Sequence, residues 1–397
     1  MRRLQGAGRT PALVCDIPGT AAGPATLVYG HLDVQPAGEG WSVTSPFDPE
    51  RHGDRLFGRG SGDDKYVPAM VTAAVRALAA DGLGHPRVVV LLETSEESSS
   101  VDLPAYLDAE RERIGDVGAV VCLDAFVPAN DRLWITSSLR GIVVADLSVT
   151  VARTGVHSGL GGGVRPSTFR LLRQLLDRLE VAGTGEVLVE ELHADPSADV
   201  LADLRAQASA APPPADGLGL LPGVRPMATE PADQLLAQTW RPSVAYAGVD
   251  GMPPVDQAGS VLRAATTVRL SIRLPPTVDA RTAAAALRRT LESDPPSGAR
   301  VQLSVVGAEN GFVAPRPADW EPRLQAASAS GWGTTAAWAA GGATIPFLAM
   351  IAARYPDVPV LAVGLLDAAS HPHGPDESLD LVAAARLTLA LAQLLRG

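Results

Sequence analysis

Cysteine is scarce in this sequence, which contains only Cys15 and Cys122 among 397 residues. Two cysteines form neither a disulfide framework nor a CxxC metal site, and both lie in apolar runs, so we expect buried, reduced thiols. No apolar run reaches the roughly 18 residues that cross a bilayer. The first thirty residues also lack the charged, apolar and small-residue order of a signal peptide. We therefore predict a cytoplasmic protein that does not enter a membrane.

Positive charge is also in short supply. The chain has 33 basic residues against 44 acidic ones, a net charge of −11, and Lys65 is its only lysine. This balance argues against nucleic acid and against anionic membrane surfaces as partners. Apolar residues are plentiful, at 46%, so the chain can bury a sizeable core. Its length exceeds what one core usually serves, and we expect two domains.

The stretch from residue 29 to residue 65 organises the rest of the chain. An apolar run at 25–29 precedes His31 and Asp33. If residues 26–33 form a strand, these two side chains share one face, which suits a metal ligand and its supporting carboxylate. A histidine and an aspartate solvated at the end of a strand would explain the same pattern. The later parts of the chain have to decide between these interpretations.

An α/β pattern follows this stretch. Apolar, β-branched runs at 86–94, 117–124 and 358–366 are typical of strands buried on both faces. Apolar residues at helical spacing predict helices over 67–80 and 377–395. This alternation favours a mostly parallel sheet covered by helices.

The pattern changes between residues 142 and 308, where alternation predicts an antiparallel sheet. The predicted strands are 142–151, 265–274 and 299–306, and the predicted helices are about 166–180 and 279–292. We expect a small α+β unit inserted between two halves of the first domain. We also expect residues 1–24 to be a lead-in without a full element. Residues 193–240 are poorly patterned, and we expect the segment APPPADGLGLLPG within them, 211–223, to be the least structured part of the chain.

Acidic residues and histidines follow the predicted strands where each strand ends. These residues are His31, Glu96, Glu97, Asp124, His371 and His373, while Asp63 precedes the first helix. Binding sites in open α/β sheets form at the carboxyl ends of strands, so we expect these side chains to converge. Taken singly, each has an ordinary alternative as a turn, cap or loop residue.

Two imidazoles and several carboxylates are the ligands that two Zn²⁺ ions would need, with Mn²⁺ or Co²⁺ as substitutes. One carboxylate lying between the ions would place them about 3.5 to 4 Å apart, as in two-metal hydrolases. A second carboxylate that binds no metal would take the proton of a bridging water. The adjacent residues Glu96 and Glu97 offer a ligand and a base together.

Several stretches carry a resemblance to a known family, in the same order along the chain. They are GHLDVQP, GRGSGDDK, SEESS, LRG, VHSGLGGG and HGPDE. From about residue 10 onward the chain resembles the di-zinc aminoacylase, dipeptidase and carboxypeptidase superfamily, and within it the carnosinase and cytosolic non-specific dipeptidase branch. The resemblance implies an α/β, zinc-peptidase-like catalytic domain with a mostly parallel central sheet flanked by helices.

The same resemblance implies an inserted α+β, ferredoxin-like domain that acts as a lid and a dimerisation surface. The predicted boundaries are 1–141 for the first part of the catalytic domain, 142–308 for the lid domain and 309–397 for the second catalytic part. A helical leader, which the family has ahead of its first strand, is missing here.

The resemblance also implies a role for each residue of the metal site. The implied ligands of two zinc ions are His31, Asp63, Glu97, Asp124 and His373. Among them Asp63 bridges the ions, while its neighbour Asp64 is no ligand. Asp33 orients His31, and Glu96 acts as the general base toward a water between the ions.

Substrate contacts are implied by two later motifs. His157, in VHSG, resembles a lid histidine that reaches the active site of a neighbouring subunit, which implies a homodimer. Gly342 and Thr344, in GGATIP, match a turn that holds a substrate carboxylate. Two positions depart from the family: Tyr66 replaces a glycine, and Ala340 replaces an arginine that grips the substrate carboxylate.

We therefore predict a metal-dependent amidohydrolase that cleaves the amide bond of dipeptides or N-acyl amino acids. The alternative is a degenerate homologue that binds metal but does not catalyse, which the short N-terminal segment and Ala340 would explain. The complete set of ligands argues for catalysis.

Overall fold

The largest sheet, called the central sheet below, brings together strands from both ends of the sequence. The computed structural model describes residues 1–396 of the chain. The strands of the central sheet, in spatial order, are Arg2–Leu4, Ala12–Ile17, Val88–Glu93, Ala25–His31, Val117–Cys122 and Val360–Ala362. The last four strands run parallel to one another. Ala12–Ile17 is antiparallel to both of its neighbours, Arg2–Leu4 and Val88–Glu93. The predicted α/β fold with a mostly parallel sheet is confirmed.

The interpretation of residues 1–24 as a lead-in is wrong. Residues 12–17 pair with Val88–Glu93 in an antiparallel register that sets Leu13 opposite Leu92. Only part of this short run is buried, and glycine and proline flank it on both sides. The run is too short to be recognised from its own sequence. As a strand it is stabilised by pairing with a partner far along the chain.

Helices cover both faces of the central sheet. The helices on one face are Val67–Ala80, Glu321–Trp332 and Leu381–Leu395, and those on the other are Leu103–Ala109, Arg111–Ile114 and Pro346–Arg354. Successive residues of one strand face opposite layers, as Val28 and Leu27 do. All residues of Ala25–His31 are buried, which explains the continuous apolar run in the sequence.

A second sheet, called the small sheet, contains four antiparallel strands. In spatial order they are Ser243–Asp250, Ala265–Leu274, Gly141–Thr150 and Arg300–Glu309. The helices Thr168–Leu176 and Ala280–Glu292 pack against its apolar face. The chain passes through strand, helix, two strands, helix and strand, which is the ferredoxin-like arrangement. The strand Gly141–Thr150 alternates buried with half-buried residues, as its sequence predicts.

The part of 193–240 predicted to be least structured, 211–223, contains only the 3-10 turn Pro214–Gly217 apart from bends and turns. The poorly patterned stretch around it is nevertheless helical in large part. It contains the helices Ala198–Ala210 and Pro231–Trp240, and Ser197 caps the first by accepting a hydrogen bond from the Val200 amide. Each helix buries a polar residue, Gln207 or Thr239, on its inner face. These polar residues break the apolar periodicity on which the prediction relied.

The remaining elements are short. One three-stranded sheet pairs Trp134–Leu139 with Phe312–Val313 and Ala337–Gly341. Another pairs Arg55–Phe57 with Glu50–His52 and Ser378–Asp380. A two-stranded sheet pairs Val156–His157 with Val261–Leu262, and the one-turn helix Ser158–Gly161 follows it in the chain. The last helix begins at Leu381 rather than near 377, because Asp380 caps it. None of the helices in residues 1–396 is long and apolar enough to cross a membrane.

Candidate metal centre

Three neighbouring parallel strands deliver acidic and imidazole side chains to one edge of the central sheet. His31 is the last residue of its strand, and Asp124 comes shortly after Val117–Cys122. Glu96 and Glu97 lie in a single 3-10 turn, Glu96–Ser98, that follows Val88–Glu93. Of the side chains that the sequence predicts to converge at the carboxyl ends of the strands, those of His31, Glu96, Glu97, Asp124 and His373 lie in two groups of possible metal ligands, and that of His371 lies in neither.

Asp63 joins the two histidines through its two carboxylate oxygens. The Nε2 atom of His31 lies 2.9 Å from Oδ1 of Asp63, and the Nε2 atom of His373 lies 3.0 Å from Oδ2. Two donor groups result, His31 with Glu96 and Asp124, and Asp63 with Glu97 and His373, and the ligand atoms of each group lie within 4.8 Å of one another. Asp63 therefore occupies the position that a bridging ligand would need.

Asp33 connects the end of the central strand to the turn that carries the two glutamates. Its carboxylate accepts hydrogen bonds from the backbone amides of Glu96 and Glu97, at 3.3 and 3.0 Å. Its Oδ1 atom also lies 3.5 Å from Nδ1 of His31. Asp33 lies just beyond the strand, which ends at His31, so the two side chains meet through a turn rather than on one strand face. Glu97 also accepts two hydrogen bonds from Gln35, at 3.1 and 2.7 Å.

Glu96 and Asp124 are held where their negative charges are unfavourable. Asp63 differs, because burial would raise its pKa but hydrogen bonds from His31 and His373 outweigh burial and lower that pKa. Burial, together with the charge of Asp124, raises the pKa of Glu96 to about 9. Burial also raises the pKa of Asp124 to about 7, although His31 opposes this shift. Burial would lower the pKa of His31, but hydrogen bonds to Asp33 and Asp63 outweigh it and raise the pKa.

The carboxylates of Glu96 and Asp124 therefore lack sufficient positive charge around them. Divalent cations would supply it, and imidazole with carboxylate is a donor set that suits Zn²⁺, Mn²⁺ and Co²⁺. The residues present fit two metal ions.

The neighbours of these ligands take other parts in the structure. Asp64 is buried outside both donor groups, and its Oδ2 atom accepts the backbone N–H of His31 at 3.2 Å. The peptide bond between Asp63 and Asp64 is cis. Tyr66, which departs from the family pattern, is buried, and its hydroxyl donates to the carbonyl of Leu123 beside Asp124. The tyrosine therefore ties the turn after Asp63 to the neighbouring strand end.

His373, rather than His371, belongs to the donor groups found in residues 1–396. His157 belongs to neither group; its side chain is exposed, and its Nδ1 atom accepts a hydrogen bond from the Gly159 amide at 3.1 Å. Its assignment to a neighbouring subunit's active site stays a prediction, as do the roles of the individual ligands.

A model of Peptidase family M20/M25/M40 matches residues 27–397. The chain belongs to this family. The Cysteinylglycine-S-conjugate dipeptidase of Corynebacterium striatum is 26% identical over 389 residues, which cover 94% of this chain and 80% of that protein. The Beta-Ala-His dipeptidase of Mus musculus is 26% identical over 273 residues, 68% of this chain and 55% of that protein.

The solved structure of the di-peptidase Dug1p from Saccharomyces cerevisiae has the same fold as this M20 peptidase. The TM-score is 0.78 at 22% identity, with 97% of this chain and 82% of that chain covered. The family and the fold class predicted from the motifs are confirmed, and relatives named as dipeptidases agree with the predicted branch.

The turn around Gly342 and Thr344 lies beside two arginines to which the sequence analysis assigned no role. Nε of Arg140 donates to the Gly342 carbonyl at 3.0 Å. The Thr344 hydroxyl donates to the Arg140 carbonyl at 2.6 Å and accepts from Nη1 of Arg273 at 2.8 Å. Arg140, Arg273 and Gly342 line a cavity of about 500 Å³ together with Gln207 and Gln238.

The charges of these two arginines are uncompensated. Neither guanidinium forms an ion pair with a carboxylate in the part of the chain that the structure describes. Burial and the nearby charge of Arg273 lower the pKa of Arg140 to about 10, and burial lowers the pKa of Arg273. Two half-buried cations beside a cavity form a site that would favour an anion.

Ala340, where the family has an arginine, is buried and lies against the same cavity. Gln207 holds its backbone, donating to the carbonyl at 3.3 Å and accepting from the amide at 2.9 Å. The LRG motif contains Arg140 and was the one available signal for this pair. Arg273 lies in an ordinary alternating strand, and nothing in its local sequence marks it.

Proposed function

We propose that this M20 peptidase is a metal-dependent dipeptidase that uses two divalent ions, with zinc as the expected metal. The observation that carries the proposal is the position of Asp63 between His31 and His373, with one carboxylate oxygen toward each imidazole. The names of the two relatives described above, which match 94% and 68% of this chain, support a dipeptide as substrate. The assembled donor set disfavours the alternative of a degenerate homologue.

The proposed ligands are His31, Asp63 and Asp124 for one ion and Asp63, Glu97 and His373 for the other. Bound there, the ions would supply an activated water and polarise the scissile carbonyl. Asp33 would keep the imidazole of His31 and the turn at Glu96 in fixed positions, because its carboxylate contacts both.

Glu96 is the proposed general base. Its carboxyl group lies with His31 and Asp124, and Asp33 holds its backbone amide. A carboxylate oxygen of Glu96 would take the proton of the attacking water and deliver it to the nitrogen of the leaving amine. Glu97, the adjacent residue, is held by Gln35 and left to bind metal.

Arg140 and Arg273 are proposed to bind the free carboxylate of the dipeptide, in place of the arginine that Ala340 replaces. A carboxylate in the cavity would offset two half-buried cations that have no other anionic partner among residues 1–396. Thr344 and the backbone of Gly342 would orient it, since both already contact these arginines.

Two finer features are also proposed. A homodimer would give His157 a partner site, which suits its exposed side chain and its exclusion from both donor groups. A cytoplasmic location is supported by the free thiols of Cys15 and Cys122.

The experiment is an assay of the metal-loaded protein with Cys-Gly, β-Ala-His and N-acetyl amino acids. We expect hydrolysis of dipeptides, and a loss of at least about 100-fold in Glu96→Gln, as is typical when a general base is removed. Glu112→Gln, at an exposed position, is the matched control and should retain full activity. Equal turnover by wild type and Glu96→Gln, or turnover of N-acyl amino acids alone, would contradict the proposal.

A further inference from the structure

Arg59 and Glu377 form an ion pair that is fully enclosed by the protein. Their side chains are 1% and 0% exposed, and Nη1 of Arg59 lies 2.6 Å from Oε2 of Glu377. Arg59 comes shortly before Asp63 in the sequence, and Glu377 comes shortly after His373. The pair therefore joins the chain segment of Asp63 to that of His373, which are two of the three members of one candidate donor group.

Glu377 accepts hydrogen bonds from the backbone of the turn that ends at Asp63. Its Oε1 atom accepts three backbone hydrogen bonds, from the amides of Gly60 at 2.9 Å, Gly62 at 3.2 Å and Asp63 at 3.2 Å. Gly60 has a φ of +82°, and a Cβ atom there would lie 2.7 Å from Cγ1 of Val34. The turn is thus shaped for the carboxylate, and Asp63 is fixed from its own backbone.

Arg59 performs the corresponding task for His373. Its Nη2 atom donates to the carbonyls of His373 and Gly374, at 3.2 and 3.0 Å. The same atom lies 3.4 and 3.3 Å from the carbonyls of Pro36 and Ala37. His373 has a φ of +61°, a backbone conformation that needs support from its surroundings in a residue other than glycine.

An enclosed ion pair is a poor device for stability alone, because removing two charges from water cancels most of their attraction. Apolar side chains would fill the same space at lower cost. What they cannot do is bond to the backbone of Asp63 and of His373 at once. The other donor group is supported differently, by the buried strand that ends at His31 and by Asp33.

From this asymmetry we infer that Arg59 and Glu377 are positioning residues that set the affinity of one metal position, the one formed by Asp63, Glu97 and His373. The other position, formed by His31, Asp63 and Asp124, shares only Asp63 with this support and depends on the pair less, because the buried strand end and Asp33 hold His31. The inference rests on the proposed two-metal centre, and it adds residues outside the set of ligands.

The test is a Co²⁺ titration of the metal-free protein, followed by absorption spectroscopy and by the number of ions bound. In Glu377→Gln we expect the affinity of one ion to fall about 10- to 100-fold, the usual effect of losing a residue that orients a ligand, while the other ion stays bound. The spectrum of the remaining ion should match that of His373→Ala and differ from that of His31→Ala. Glu191→Gln, which removes an exposed pair of the same 2.6 Å length with Arg289, should bind both ions as wild type does.

A double variant, Arg59→Met with Glu377→Met, separates positioning from stability because it restores apolar packing without charge. We expect it to fold and to bind one ion tightly. Wild-type affinity for both ions in the double variant, or an equal loss of both ions in Glu377→Gln, would overturn the inference. A wild-type protein that binds fewer than two ions would instead refute the proposed metal centre itself.

Discussion

Replacing Arg273 by methionine tests the proposed carboxylate site with little disturbance to the fold. The Arg273 side chain donates one hydrogen bond, to the Thr344 hydroxyl. Thr344 can still donate to the Arg140 carbonyl after the substitution, since that bond uses the hydroxyl proton. The variant also removes a positive charge from the vicinity of Arg140, which should raise the pKa of Arg140 toward its ordinary value.

The expected magnitude follows from the bonds that a substrate carboxylate would make. A hydrogen bond to a charged group contributes about 1.5 to 3 kcal/mol. Its loss should lower kcat/KM for a free dipeptide about 10- to 150-fold. Because the carboxylate lies away from the scissile bond, substrate and transition state should lose the contact equally, so KM should rise while kcat stays close to wild type.

The assay compares a dipeptide with the same dipeptide bearing a C-terminal amide. Arg273→Met should reduce activity toward the free acid and leave activity toward the amide nearly unchanged. Arg269→Met is the matched control, because Arg269 lies on the same strand but is exposed and paired with Asp146 at 2.7 Å. Equal losses on both substrates, or a fall in kcat alone, would refute the carboxylate site.

Two further predictions concern the metal centre and the half-buried cations. Chelation of the metal should lower Tm in a thermal melt, because each ion at a free concentration of 100 times its Kd stabilises the native state by about 2.7 kcal/mol. In His31→Ala, chelation should lower Tm by less than in wild type, and an equal decrease would contradict the assignment of His31 as a ligand. The free energy of unfolding should rise with pH from about 10 upward, because the folded pKa of Arg140 lies below its ordinary value and the unfolded state there keeps a proton that the folded state has lost. Urea unfolding of wild type and Arg140→Met between pH 8 and 11 measures this, and a constant difference between the two proteins would contradict it.

The strands that lead to the candidate metal ligands were predictable because the sequence of each is distinctive by itself. Val88–Glu93 and Val117–Cys122 are continuous apolar runs, and their acidic residues follow at once. A buried parallel strand must be apolar on both faces, so its sequence is distinctive whatever it pairs with. The helix predicted over 67–80 also has those bounds in the structure, because Met70, Ala74 and Leu78 form a regular buried stripe.

The elements that sequence reasoning missed depend on distant partners. Gln207 is buried against the backbone of Ala340, which its own helix cannot reveal. Residues 12–17 become a strand only because Val88–Glu93 offers an edge to pair with. Arg273 acquires its environment from Arg140 and from the turn at Thr344, both remote in sequence. A local sequence pattern does not indicate contacts with residues that are distant in sequence.

The enclosed pair of Arg59 and Glu377 also has a consequence for the order of events during biosynthesis. A ribosome-bound chain synthesised only as far as residue 370 already carries His31, Asp63 and Asp124, yet it lacks both His373 and the carboxylate that shapes the turn before Asp63. Arg59 would then be a charge without its partner in a half-formed core. In the proposed two-metal centre, the ion held by Asp63, Glu97 and His373 is therefore expected to bind only after synthesis has passed residue 377, so its capture follows completion of the chain and cannot guide earlier folding.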